Sequence, residues 1–263
     1  MAIQPQTIEK YADQLYGALK ARTTLEPLTT QTPEITIDDA YAISTQIFEK
    51  RLASGEKLVG KKVGVTSIPV QRMLNVHQPD FGYLTDAMQY QNGDTMPVST
   101  ELIAPRAEGE IAFILSKPLQ GPGVTAEDVL AATESVVACF EIVDSRIRDW
   151  KIAIQDTIAD NASCGLFLLG DEHVSPEGID FANVKMRVYK NGAILSEGVG
   201  SEALGSPLNC VAWLANTFGE RGISLDAGDI ILSGSLVPLE PVQAGDQMRV
   251  EIDGIGSAEV RFS

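Results

Sequence analysis

Histidine is nearly absent from this chain: His77 and His173 are the two among 263 residues. With so few imidazoles, and with no G-x-S-x-G elbow in the sequence, a Ser-His-Asp hydrolase has little to be built from. Cysteine is equally sparse. Cys139, Cys164 and Cys210 are odd in number, form no C-x-x-C and sit among apolar or small neighbours. That excludes a disulfide framework or a cysteine-rich zinc site and predicts buried free thiols. No apolar stretch approaches the roughly 20 residues that span a bilayer. Met1-Ala-Ile-Gln-Pro-Gln has neither the basic region nor the apolar run of a signal peptide, so a cytoplasmic protein without membrane contact is expected.

Positive charge is scarce as well. Lys and Arg number 20 against 36 Asp and Glu, a formal charge of −16. Such a field repels phosphate backbones and anionic headgroups, so nucleic acid is not an expected partner. It also repels carboxylate substrates. An enzyme for small acids would need a local positive centre here, either Lys or Arg or a bound cation.

What is present is ordinary for a globular chain, with 44% hydrophobic and 21% charged residues. The length suits one large domain. The expected organisation is a single catalytic domain over 1–263, divided into an N-terminal helical region (1–60) and a β-rich, metal-binding core (61–263). Ile8, Tyr11, Ala12, Leu15, Tyr16 and Leu19 recur at helical spacing, and Thr36-Ile-Asp-Asp39 reads as a capping box opening a helix to about Leu52. Residues 23–35 read as a connecting loop, and the first third otherwise as helical. Glu110-Ile-Ala-Phe-Ile-Leu115 reads as a buried strand. Thr125 with Asp128 predicts a second capping box, before a helix whose apolar side carries Val129, Leu130, Ala132, Val136 and Val137, then a short strand near Ala138–Val143. The last third alternates at Val184, Met186 and Val188 before the turn pair Asn191-Gly192, and again around Met248–Ile252 and Ala258–Phe262, with one helix over Pro207–Phe218. Strands mixed with segregated helices indicate an α+β class. Gly198-Val-Gly-Ser-Glu-Ala203 has the form of a dinucleotide fingerprint but lacks its βαβ context, and a loop is expected.

Three acidic residues stand out. Glu108 and Glu110 are two apart in an extended segment and so project from one face, and Glu141 lies inside the apolar run Val136–Val143, where an unpaired carboxylate is costly. Three carboxylates suit Mg²⁺ or Mn²⁺. Spacing alone leaves another reading open, in which Glu108 and Glu110 face solvent and Glu141 pairs with Arg146 or Arg106.

The stretches Gly60-Lys-Lys-Val-Gly-Val-Thr66, Gln78-Pro-Asp-Phe-Gly82, Pro105-Arg-Ala-Glu-Gly-Glu-Ile-Ala112, Glu141-Ile-Val-Asp-Ser-Arg146 and Asp156-Thr-Ile-Ala-Asp-Asn-Ala-Ser163 together resemble the fumarylacetoacetate hydrolase superfamily. Within it they most resemble the 2-oxopent-4-enoate (2-hydroxypentadienoate) hydratases, in the same order over residues 7–263. The resemblance implies a mixed β-roll with flanking helices, a Mg²⁺ or Mn²⁺ ion and a place in meta-cleavage degradation of aromatic compounds. It places the metal carboxylates on Glu108, Glu110 and Glu141, the active-site lysine on Lys62, the acid/base aspartate on Asp80, and pocket-lining segments on Ser163, Ser233 and Gly234. Two positions depart from it: Gly109 stands where many relatives carry alanine, and Ser206 replaces a histidine, which puts any role of that imidazole in doubt. The implied substrate is a small 2-oxo or 2-enol carboxylic acid, and a homo-oligomer that associates with a sister pathway enzyme is a further expectation. The resemblance puts hydration of 2-hydroxypenta-2,4-dienoate to 4-hydroxy-2-oxopentanoate first, since Arg148-Asp-Trp150 and Asp156-Thr157 resemble the hydratases more, with 4-oxalocrotonate-type decarboxylation as the sister alternative and a non-catalytic pathway partner as a third. Lys62 as a surface residue paired with Lys61, and Asp80 as a turn former after Pro79, are the plain alternatives for those two side chains.

Overall fold

The computed structural model describes residues 3–263; Met1 and Ala2, the start of the N-terminal stretch considered above, lie outside the described residues. Helix α1 (Pro5–Ala21) carries a proline in its first turn, where a missing N–H is harmless, and buries Tyr11, Ala12, Leu15 and Ala18 on the face their spacing predicts. The connection beyond it contains a helical turn, α2 (Leu28–Gln31). A tertiary contact that local pattern does not reveal anchors it: the Thr29 N–H and hydroxyl donate to the Asp156 carboxylate at 3.1 and 2.7 Å. Helix α3 (Ile37–Ala53) opens with the expected capping box, in which the Asp39 N–H donates to Thr36 Oγ1 at 3.1 Å and the Thr36 N–H to Asp39 Oδ2 at 3.0 Å.

The first third is not helical throughout. Strands β1 (Leu58–Gly64) and β2 (Asp80–Thr85) pair antiparallel there, flanking the short helix α4 (Ile68–Met73). Every β2 residue is buried, so neither strand shows the inside–outside alternation by which half-exposed strands are read. The β structure thus begins three residues ahead of the expected boundary at 61. Further on come β3 (Gln89–Tyr90), β4 (Thr95–Met96), α5 (Val98–Glu101) and the long β5 (Arg106–Leu115). Helix α6 (Ala126–Ala132) has its Thr125–Asp128 capping box but stops early, and β6 (Thr133–Val143) claims Val136 and Val137. Pairing with β5 along its whole length outweighs the local helical spacing there. The remaining elements are α7 (Ile154–Ala159), β7 (Cys164–Leu169), β8 (Lys185–Lys190), β9 (Ala193–Val199), α8 (Pro207–Gly219), β10 (Ile230–Leu232), β11 (Glu240–Pro241), β12 (Gln247–Ile252) and β13 (Gly256–Phe262).

The strands form two mixed sheets, one ordered β2-β1-β10-β5-β6-β7-β3 with β11 against β5, the other β4-β13-β12-β8-β9. Asn191 (φ 53°) and Gly192 (φ 82°) make the hairpin turn from β8 to β9. Gly109 faces the second sheet: a Cβ there would sit 2.9 Å from Met186 Sδ and 3.2 Å from Val188 and Val250 side-chain carbons. Gly198-Val-Gly-Ser-Glu-Ala203 ends β9 and continues as a single 3-10 turn (Gly200–Glu202) rather than an α-helix, and Gly200 packs against the Phe181 carbonyl too closely for any side chain. Cys139, Cys164 and Cys210 are free and buried. No described helix is long and apolar enough to cross a membrane.

A buried polar knot ties β6 to the α7–β7 connection. Arg146 Nε meets Asp160 Oδ1 at 2.6 Å, the Arg146 N–H donates to Asp160 Oδ2 at 2.8 Å, and Arg146 Nη2 donates to the Asp160 carbonyl at 2.8 Å. Beside it, Asn161 acts as a surrogate strand partner, accepting from the Tyr83 N–H at 2.8 Å and donating to the Tyr83 carbonyl at 3.0 Å. Removing one side of a buried pair strands the other charge. Asp160→Ala should therefore cost about 3–5 kcal/mol in urea unfolding, whereas Thr36→Ala at the exposed cap should cost about 1 kcal/mol. Equal small losses would contradict the role given to the knot.

Candidate active site

Strand register builds the site. Glu108 on β5 lies directly opposite Glu141 on β6, and Glu110 follows two residues along the same face. One carboxylate oxygen from each of the three lies within 4.8 Å of the others, with Glu110 and Glu141 buried and Glu108 half-buried. Lys62 and Asp80 come from β1 and β2, beyond β10 in the same sheet, where Lys62 pairs with Gly82 and Gly64 with Asp80. Gly64 is needed there: a Cβ on it would overlap Asp80 Oδ1 and sit 3.1 Å from Lys62 Nζ. Lys61 and Lys62 alternate across β1 and both are buried, Lys61 on Asp229 and Lys62 3.1 Å from Glu141 Oε1. That excludes a surface lysine pair. Arg146 is committed to Asp160 and Arg106 stacks on Trp150, so neither arginine takes Glu141.

The cluster is under-compensated. The Lys62–Glu141 contact is close enough for an ion pair but not aligned as a hydrogen bond, so among the described residues both Glu141 oxygens lack a donor, as do Glu110 Oε1 and both Asp80 oxygens. The Gly234 N–H donates to Glu110 Oε2 at 2.8 Å. Burial first, and then the neighbouring Glu141 charge, push Glu108 and Glu110 far above the ordinary carboxylate range. Burial also pushes Asp80 up to about 6 against the pull of Lys62. For Lys62 burial opposes the charge, but the Glu141 and Asp80 carboxylates outweigh it and hold the ammonium protonated. Cys139 and Cys164 beside the cluster are driven upward by burial and stay thiols. Orphaned, convergent carboxylate oxygens without imidazole or thiolate are the donor set of a hard divalent cation, so these residues fit the ion the sequence implies.

Above the cluster opens a cavity of about 640 Å³, lined at its inner end by Lys62, Asp80 and Glu108. Ser163 lines it, with its hydroxyl 3.0 Å from Thr157 Oγ1. Ser233 does not: it is fully buried, and its hydroxyl donates to the Ile111 carbonyl at 2.8 Å. Gly234 works from behind the wall, its positive φ (93°) turning the N–H toward Glu110 and its missing Cβ leaving room for Thr66. Neither histidine lines the cavity, and both are exposed. The sequence assigns no role to Gly64, although it stands inside the quoted Gly60–Thr66 motif, nor to Trp150, and offers Arg106 only as a partner for Glu141; all three line the cavity.

Residues 55–263 match the family described as Fumarylacetoacetate (FAA) hydrolase C-terminal. The chain belongs to this family. It is 57% identical over 259 residues to a 2-hydroxyhexa-2,4-dienoate hydratase of Comamonas testosteroni, covering 98% of each chain. It is 63% identical over 217 residues to a 2-hydroxypent-2,4-dienoate hydratase of Pseudomonas putida, covering 82% of this chain and 98% of that one. A solved 4-oxalocrotonate decarboxylase of Pseudomonas putida G7, complexed with magnesium and adipate, superposes with a TM-score of 0.96 at 34% identity, covering 100% of this chain and 99% of that one. The fold is thus the mixed α+β roll that the sequence motifs imply.

The raised carboxyls fix a sign for stability against pH. Asp80 and Glu108 titrate higher in the folded chain, near 6 and 8, than in the unfolded one, so their contribution is full below about pH 4 and is lost as pH rises through the folded values. Metal-free protein should therefore melt at falling temperature between about pH 5 and 8.5. Glu108→Gln should flatten that slope. A slope of the opposite sign, or one indifferent to Glu108→Gln, would contradict the electrostatic picture.

Proposed function

We propose that this chain is a divalent-metal-dependent hydratase that adds water to 2-hydroxypenta-2,4-dienoate, the enol of 2-oxopent-4-enoate, to give 4-hydroxy-2-oxopentanoate in the meta-cleavage degradation of aromatic compounds. One observation carries the reading: Glu108, Glu110 and Glu141 converge beside Lys62 and Asp80, in a chain close to dienoate hydratases along nearly its full length. It is a hydro-lyase, and its substrate is a small molecule. Glu108, Glu110 and Glu141 hold the ion, Mg²⁺ or Mn²⁺, and magnesium in the 34% identical decarboxylase supports that choice. When bound, such an ion supplies Lewis acidity toward the carboxylate and 2-oxygen of a 2-oxo acid.

The chain's own groups do the rest. Lys62, protonated and fixed against Glu141, places positive charge at the inner end of the cavity, where negative charge gathers on the 2-oxygen during ketonisation. Asp80, its carboxyl pushed up to about 6 and without a hydrogen-bond partner among the described residues, is poised to give a proton to the distal carbon as the 2-hydroxyl proton leaves to solvent, then to take one from the water adding at C4 and pass it to C3, regaining its own from solvent. Ser163 orients substrate from the cavity wall, and Gly234 steadies Glu110.

The second reading is decarboxylation of 4-oxalocrotonate, favoured by the TM-score of 0.96 to that decarboxylase. A non-catalytic pathway partner fits poorly with four buried ionisable groups, Lys62, Asp80, Glu110 and Glu141, kept beside the half-buried Glu108 at such electrostatic cost. We also place the whole chain, helical region and core together, in one catalytic unit, working in the cytoplasm as a homo-oligomer that associates with a sister enzyme. A light-scattering mass near that of one 28.2 kDa chain would count against the oligomer.

Following dienoate absorbance together with CO₂ separates the two chemistries. The hydratase should consume 2-hydroxypenta-2,4-dienoate without releasing CO₂, and stop when chelated. Asp80→Asn and Lys62→Met should each lower kcat by about a hundredfold or more. Stoichiometric CO₂ from 4-oxalocrotonate, with no turnover of the pentadienoate, would overturn the assignment.

A further inference from the structure

Three cationic side chains line the cavity, and two of them are spoken for. Lys62 faces Glu141, and Lys151 pairs with Asp149 at 3.2 Å. Arg106 has no carboxylate within ion-pair distance and no side-chain hydrogen bond among the described residues. In a chain of net charge −16, an unpaired guanidinium beside an acidic cluster is unexpected.

Its position is built. Arg106 precedes Glu108 by two residues on β5, so both side chains leave the same face, with Cα atoms about 6.5–7 Å apart. The guanidinium lies 4.6 Å from the centroid of the Trp150 ring. Trp150 is itself fixed, its indole N–H donating to the Ala104 carbonyl at 3.0 Å. Asp149 and Trp150 both hold positive φ (57° and 55°), a conformation non-glycine residues adopt at a cost. The chain therefore holds a flat cation at the cavity wall with its N–H groups unspent.

Charge at the inner end says what that cation serves. Glu108, Glu110, Glu141 and Asp80 against the Lys62 ammonium and a dication leave the site net negative, or neutral with Asp80 protonated. An incoming carboxylate gains no net attraction from such a balance. One more positive group is needed, and a planar guanidinium matches a carboxylate in fork geometry.

We propose that Arg106, seated on Trp150, receives the C1 carboxylate of the 2-oxo or 2-enol acid substrate. This rests on the substrate class proposed above. Arg106 acts in binding and orientation, so its loss weakens ground-state and transition-state binding alike.

Calorimetry of 2-oxopentanoate, which has only the C1 carboxylate, and of 2-oxohexanedioate, which adds a distal one, on the Mg²⁺-loaded protein tests this. Arg106→Met should weaken both ligands by the same factor, about tenfold or more. It should raise KM for the dienoate by a similar factor while kcat stays within about threefold, with Mg²⁺ affinity and melting temperature unchanged. Arg106→Lys, which keeps the charge but loses the fork and the flat stack, should fall between wild type and Arg106→Met, and it covers the case in which the methionine variant folds poorly. Unchanged affinity for 2-oxopentanoate in both variants would overturn the inference. A loss confined to 2-oxohexanedioate would overturn it too, by assigning Arg106 to the distal carboxylate, and so would a loss of Mg²⁺ itself. If wild type binds neither acid, the substrate class fails, whatever the variants do.

Discussion

Glu108 and Glu141 face each other across paired strands, and like charges so placed repel; Glu110, on the same face and fully buried, adds a third. Much of the surrounding architecture is arranged to hold this unfavourable set in place. The long β5–β6 ladder fixes the opposing pair in register, and the Gly234 N–H reaches Glu110 from the β10 side. Gly64 gives up its side chain so that Lys62 and Asp80 can close over it. One ammonium does not balance three or four carboxylates at this depth. Electrostatics therefore calls for a cation before any reaction is considered.

Backbone strain gathers around the same cavity. Val65, Asp149, Trp150, Ala162 and Ser163 all line it and all hold positive φ, which for a β-branched residue such as Val65 is especially costly. Each is held by its surroundings. The Val65 carbonyl accepts from Gln71 Nε2 at 3.0 Å, and Ser163 follows the Asn161 bracket on Tyr83 and the Arg146–Asp160 knot. Cavity walls set by such over-determined contacts give side chains fixed directions, which suits binding a small, flat acid.

Legibility in the sequence followed burial. Amphipathic α1, the capping boxes at Thr36 and Thr125, and the Asn191-Gly192 hairpin were readable because each shows a local rule with one face in solvent. Strands β1, β2 and the first half of β6 were not, because both of their faces are buried and their pairing partners lie far along the chain. In the site, Glu141 drew attention as a charge inside an apolar run, and Glu108 and Glu110 as a same-face pair. Opposition of Glu108 to Glu141 is a matter of register that no local pattern encodes. Ser233, placed at the pocket by resemblance alone, lies behind its wall, because its hydroxyl is used on the Ile111 carbonyl. Arg106 sits in phase with Glu108, a signal open to reading, but it was weighed only as a partner for Glu141.

Titrating Mn²⁺ calorimetrically into chelator-treated wild type and Glu141→Gln tests most directly whether buried charge here is completed by a metal. Wild type should bind one ion per chain and melt at a higher temperature once loaded, while Glu141→Gln should lose at least about a hundredfold in affinity. Absence of binding to wild type, or equal affinity in the variant, would contradict the account.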